Sequence, residues 1–253
     1  MTKHDLTSTG PLILAVDTSS KATSLAVAQG ATLLRSIREL PDQKRSETLW
    51  GEIKVALAEL GLTISDVDLF AVCTGPGGFT GLRVGMAAVM GFSAATNKPL
   101  FGVTSLEATA FTARPALVLA IVNAYKSEVY SQLFSFDGDG VPVARNDPMV
   151  STPEDAIERV ADERHVVFAC NGVEAVAQDI ERIVASSGDG TFTLKQSERG
   201  LAEAVARVGF LKVARGETQT AASLKALYVR PSEAEIKLSL GLLGSKIKRS
   251  MKP

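Results

Sequence analysis

Three short apolar runs restrict what this chain can fold into more than any other feature. Residues 12–16 read LILAV, residues 69–73 read LFAVC and residues 117–122 read LVLAIV. A strand with one face in water alternates apolar and polar residues. These runs do not, so they read as strands covered on both faces, in the middle of a sheet. Helical periods separate them. Leu49, Ile53, Leu57 and Leu60 share one face of a helix over 44–60, and Gly61 stands where a left-handed terminal residue belongs.

The remaining segments extend the same alternation. Residues 12–28 read as a hairpin, and residues 32–39 add a third strand. A Gly-rich loop, GPGGFTG (75–81), leads into a helix that runs to Asn97, with Thr80 as its N-cap. Residues 100–103 form a strand, and Thr104 with Glu107 forms a capping box for a short helix. A second block starts near Pro115. Residues 128–136, the turn DGDG and residues 141–143 read as a hairpin. Thr152 followed by Pro153 marks a helix start. A strand over 166–170, a helix over 172–185, a loop SSGDG (186–190) and a helix over 201–215 follow. The pattern predicts an α/β protein of two similar halves, without a sequence repeat of fixed period. At 253 residues it is one large domain or two small ones.

Charge and composition exclude several classes. Lys+Arg 27 against Asp+Glu 28 leaves a net charge of −1, too little basic excess for a domain that grips nucleic acid alone. Two cysteines, Cys73 and Cys170, make no disulfide framework and fit a reduced, cytoplasmic compartment. Two histidines, His4 and His165, make no ligand pair. The N-terminus carries no signal-peptide pattern, and no apolar run approaches about 18 residues. The end of the chain is basic: Lys237, Lys246, Lys248, Arg249 and Lys252 stand in 237–253 with no acid. It reads as a solvated terminus, with a contact to RNA or an acidic partner as the alternative.

The Gly-rich loop fails the specific phosphate tests. Leu82 stands near where a P-loop requires lysine, and Thr80 occupies the sixth place of a dinucleotide fingerprint. What remains is a tight strand-to-helix turn with open N–H groups, which either holds an anion or is a tight turn alone. The helix after it carries Gly81, Gly85 and Ala88 along one side, with Gly91 one turn on. Glycine inside a helix costs about 0.5–1 kcal/mol against alanine, so these positions read as a close approach. Its two versions are packing on its own sheet and contact with a second chain. Met86, Met90 and Trp50 are adaptable or anchoring apolar groups of the kind interfaces favour, with a core role as the default. Asp17 and the hydroxyls of Thr18 and Ser19 stand at a strand end. They suit either a metal-bridged phosphate or turn capping.

Taken in order, ILAVDTSSKATSLAV, KRSETLW, VCTGPGGFTGLRVGMAAVMGFSAATNKPLFGVTSLEATA, AIVNAYKSEVYSQLF and ALYVRPSEAEIK resemble the bacterial TsaB (YeaZ) family over about residues 12–237. The GPGGFTGLRVG segment is the most specific part. The resemblance implies a two-lobed actin/sugar kinase/Hsp70-like (ASKHA, ribonuclease H-like) fold with a reduced second lobe. The implied organisation is a polar leader over 1–11, an N-terminal lobe over 12–110, a C-terminal lobe over 111–236 and a basic tail over 237–253. It also implies a non-catalytic scaffold that dimerises with TsaD. TsaD binds metal through histidines and transfers threonylcarbamoyl to the adenosine beside the anticodon of ANN-decoding tRNAs. The ATPase TsaE joins the pair, tRNA is met only through the complex, and a homodimer forms when the chain is alone. The partner face implied is Trp50, Ile53, Leu57, Gly81, Arg83, Gly85, Met86, Ala88 and Met90. Asp17, Thr18 and Ser19 become a vestigial nucleotide site, since Ser19 stands where nucleotide-binding relatives carry glycine. No catalytic residue, metal or cofactor is expected. Many family members carry histidine where this chain has Arg45, before Ser46 and Glu47. Two other readings compete: an ATP-dependent small-molecule phosphotransferase of the same fold, and a metallopeptidase-like relative.

Overall fold

The computed structural model describes residues 10–21, 23–38, 45–114, 116–173, 177–186, 192–196, 200–217 and 219–230. His4, residues 187–190 of the expected loop and the basic tail lie outside them, as do the side chains of Arg45, Ser46 and Glu47.

The apolar runs are central strands, as their lack of alternation predicts. The first sheet is built from β1 (Leu12–Asp17), β2 (Ser24–Gln29), β3 (Thr32–Ile37), β4 (Leu69–Cys73) and β5 (Leu100–Val103), in the order β3-β2-β1-β4-β5. β1 pairs antiparallel with β2 (Val16 opposite Leu25) and parallel with β4 (Ala15 opposite Ala71). Helices α1 (Arg45–Glu59) and α2 (Phe79–Thr96) connect these strands, and α3 (Ser105–Phe111) leads from β5 to the second sheet. The second sheet contains β6 (Leu117–Tyr125), β7 (Glu128–Phe136), β8 (Pro142–Ala144), β9 (Met149–Ser151), β10 (Val166–Asn171) and β11 (Phe192–Gln196), with α4 (Pro153–Glu158) and α5 (Ala177–Ser186). Its path reads β8-β7-β6-β10-β11, the first sheet's pattern repeated strand for strand, antiparallel on one side and parallel on the other. A final helix, α6 (Ala202–Ala214), returns to the first sheet.

Alternate residues of β1 reveal the layers. Leu12, Leu14 and Val16 pack with Leu49, Ile53 and Leu57 of α1 and Met86 and Val89 of α2. Ile13 and Ala15 face the other way, onto Ala202, Val205 and Val208 of α6. Helix α3 stands between the sheets: Ala108 and Phe111 join the first core, Leu106 and Ala110 the second. Ile157 of α4 and Ile180 of α5 cover the far face of the second sheet.

Local signals hold where short-range chemistry decides. Gly61 has φ +70°. Thr104 and Glu107 close their capping box, and Thr152 accepts from the Asp155 N–H. The expected Thr80 cap is corrected: Gly78 is the N-cap, without a side-chain bond, and Thr80 is already helical. The helix begins earlier because the Gly78 N–H is held by the Ser19 carbonyl at 2.6 Å. Strands β9 and β11 were not foreseen; three residues, or a largely polar run such as FTLKQ, carry too little hydrophobic pattern.

Candidate functional site

The turn after β1 is buried. Oδ1 of Asp17 accepts the Ser19 N–H at 2.9 Å and the Ser19 hydroxyl at 2.6 Å. Oδ2 accepts the Leu201 N–H at 3.1 Å, where α6 begins. A carboxylate at a helix N-terminus is favourably placed, and here it ties the first turn to a segment 184 residues away. The Gly-rich loop closes over the same turn. A Cβ on Gly77 would lie 2.3 Å from the Ser19 carbonyl oxygen, a distance that no side chain tolerates against backbone. Asp17, Thr18 and Ser19 thus meet their own chain on every side that the loop, α2 and α6 cover.

Gly85 belongs to this turn too. A Cβ there would lie 2.3 Å from Oγ1 of Thr18. Gly81 and Gly85 are both buried. Of the two versions of the small-residue side, Gly85 follows the packing one: its missing side chain makes room for the β1–β2 turn. The face of α2 that does meet water runs through Arg83, Ala87 and Gly91, and nothing lies within 4 Å of a Cβ on Gly91.

The other partner-face residues divide in the same way. Ile53 and Leu57 are buried in the first core. Met86 is 9% exposed, while Ala88 and Met90 are half-buried. Trp50 is 44% exposed, though indole is among the most costly groups to leave in water. It leans on Phe92 of α2 with ring centroids 5.2 Å apart, and Phe92 leans on buried Phe70 at 5.8 Å. Beside Trp50 an apolar groove of about 310 Å³ runs along α1, lined by Ile53, Leu57, Ala58, Leu62 and Ile64. A shallower depression of about 530 Å³ on α2 is lined by Arg83, Met86, Ala87, Met90, Ala226 and Tyr228. Phe92, Leu62, Ile64 and Tyr228 are contributors that the sequence reading did not single out. Tyr228 stacks on Phe79 at 5.1 Å, and the Arg83 guanidinium sits 3.8 Å over the same ring. Tyr228 comes from the ALYVRPS segment, so its presence in a matched motif was the available signal.

Nucleophiles and metal ligands are poorly provided. Burial pushes the Cys73 thiol well above its ordinary value, and the Asp17 carboxylate adds to the rise. Burial pushes Cys170 up to about 12. Neither forms a thiolate near neutral pH, so neither is a ready nucleophile. His165 stands at the turn before β10, and among the described residues no three His, Cys, Asp or Glu side chains cluster to hold a metal ion. No helix of the described residues is long and apolar enough to cross a membrane.

The family model described as TsaD, tRNA N6-adenosine threonylcarbamoyltransferase, matches residues 39–230. The chain belongs to this family. Its similarity runs to the TsaB (YeaZ) branch: YeaZ from Pseudomonas aeruginosa is 27% identical and superposes with a TM-score of 0.70 over 86% of this chain and 99% of that one. The TsaB protein of Escherichia coli K12 is 29% identical over 152 residues, 58% of this chain and 65% of that protein. A tRNA N6-adenosine threonylcarbamoyltransferase of Thermodesulfovibrio yellowstonii is 35% identical over 111 residues, 38% of this chain and 33% of that protein. The matches thus span from a third to just under two thirds of these curated relatives. The family's two-lobed actin-like fold is the one built here, with three-residue strands and a six-residue helix in the second half.

Proposed function

We propose that this chain is a non-catalytic subunit of tRNA threonylcarbamoyladenosine synthesis that acts by pairing with TsaD through the outer face of α1 and α2. The observation that carries the reading is exposed Trp50, which leans on half-buried Phe92 and lines an apolar groove, with a second depression on the neighbouring α2. Partly exposed Trp and Met flanked by apolar grooves are the anchors that protein partners bury. Exposed Arg83 adds a cation that stacks or pairs at the edge of the contact. On this reading Ile53, Leu57, Gly81 and Gly85 support the face from beneath. The TsaE ATPase joins the pair, and a second copy of the chain takes the TsaD place when TsaD is missing.

The closed turn at Asp17 supports the non-catalytic part. A phosphotransferase needs open N–H groups and a carboxylate aimed at a metal-bridged phosphate. Here the carboxylate is occupied by Ser19 and Leu201, and the Gly78 N–H is occupied by Ser19. The metallopeptidase alternative needs a donor cluster that the described residues do not supply.

Reconstitution tests the reading. Purified TsaD, TsaE, threonylcarbamoyl adenylate and an unmodified ANN-decoding tRNA are combined with and without this chain. Modified adenosine is expected only when the chain is present, and none from the chain alone. Equal modification without it, or turnover by the chain alone, contradicts the proposal.

A further inference from the structure

On the opposite side of the first sheet, the β2–β3 hairpin, the end of α3 and the start of α6 enclose a groove of about 310 Å³. Its walls are mostly apolar: Ala28, Leu33, Phe111 and Ala204. Three charged side chains line it, Arg114, Glu203 and Arg207. Glu203 is paired with Arg38 at 3.1 Å, outside the lining. The two arginines are held by neutral groups. An N–H of Arg114 donates to the Phe111 carbonyl at 3.0 Å, and its guanidinium lies 3.7 Å over the Phe111 ring. Arg207 donates to the Ala31 carbonyl. Among the described residues neither has a carboxylate partner.

Glu203 lines the same groove but is engaged by Arg38, so the two guanidiniums share the groove with no carboxylate bonded to either among the described residues. Burial and then the charge of Arg207 pull Arg114 below its ordinary value. Each guanidinium has five N–H donors and uses one on backbone here, which leaves most of each fork without a partner among the described residues. Anchoring by a ring and by carbonyls fixes orientation without neutralising charge, which is what preorganised anion recognition requires.

We propose that Arg114 and Arg207 form an anion clamp that grips a phosphate of an RNA strand. Two forks arriving from different elements suit a tetrahedral phosphodiester, whose non-bridging oxygens do not share a plane with a single fork. A flat carboxylate is satisfied by one fork, which makes an acidic peptide the poorer occupant. The choice of RNA rests on the proposed role in tRNA modification; the clamp itself does not. The site lies on α3 and α6, away from the Trp50 face, so one chain holds a protein partner on one side of its first sheet and nucleic acid on the other.

The test is anisotropy of a labelled unmodified tRNA transcript with the full chain in complex with TsaD, titrated from low ionic strength upward. Loss of one phosphate contact lowers the slope of log affinity against log salt by about 1. The Arg114→Gln/Arg207→Gln variant is expected to show that drop and to bind about tenfold more weakly at low salt. Arg114→Lys/Arg207→Lys restores the slope while regaining only part of the affinity, because charge returns without the fork. Thermal melting confirms that the variants are folded, and the lysine pair carries the test if the glutamine pair is not. An unchanged slope, absence of wild-type binding at low salt, or substitutions that weaken binding of polyglutamate but not of tRNA each overturns the clamp. Failure of the functional reading looks different: TsaD then modifies tRNA equally well without this chain, whatever the slope.

Discussion

The outer helical layers of the two lobes cover sheets of the same strand order, yet they end differently. In α4 and α5 the buried residues Ala156, Ile157 and Ile180 face the sheet, while Glu154, Asp155, Glu158, Arg159, Glu181 and Arg182 face water. Among the described residues this layer exposes no large apolar side chain. In α1 and α2 the inward face is just as complete, but Trp50 and Val55 stand in water and apolar grooves run beside Trp50. A layer that only has to shield a sheet looks like the second. The first has apolar surface beyond what its own sheet uses, which is what the proposed partner contact would bury.

The equivalent turns differ as well. Tyr125, Lys126 and Ser127, between β6 and β7, are exposed, with left-handed φ of 61°, 55° and 60°. The turn between β1 and β2 is buried under the Gly-rich loop and α2. A fold that opens both turns to a phosphate has room for a nucleotide; here one of the pair is filled by the chain itself.

Substitutions sharpen both contrasts. The largest effect on stability is expected from Gly77→Val, which drives a side chain into the Ser19 carbonyl. Unfolding by urea should show a loss of about 3 kcal/mol or more. Asp17→Asn comes next, at about 2 kcal/mol, because the amide cannot accept all three donors with full charge. Smaller and opposite effects come from two glycines six residues apart on α2. Gly85→Ala meets Thr18 and should lower the melting temperature, by the equivalent of about 1–2 kcal/mol. Gly91→Ala meets nothing and should raise it, by about 0.5–1 kcal/mol of helix propensity. Equal signs for the two would contradict the inward and outward faces assigned to this helix.

Those two glycines also show what the sequence could convey. Unalternated apolar runs, helical periods and capping residues are local signals, and they located most elements. Which side of α2 is inside depends on where the β1–β2 turn lies in space, so Gly85 could be read as either packing or interface. The bond from Leu201 to Asp17 and the approach of Arg114 to Arg207 join segments far apart in the chain. Neither has a local pattern. Trp50, Met86 and Met90 were legible as apolar residues at helical spacing, but the same spacing describes core and contact alike until exposure separates them.

The central claim is that the outer face of α1 and α2 is a protein contact and the exposed surface of the second lobe is not. Titration calorimetry of TsaD with the wild-type chain, Trp50→Asp, Met90→Asp and, in the second lobe, Val143→Asp tests it most directly. Val143 is an exposed apolar residue on β8, far from the proposed face in the fold. The account predicts that Trp50→Asp and Met90→Asp stay folded and each lose at least about tenfold in affinity, about 1.4 kcal/mol, while Val143→Asp binds like wild type. Undiminished binding by folded Trp50→Asp and Met90→Asp, or an equal loss with Val143→Asp, would contradict it.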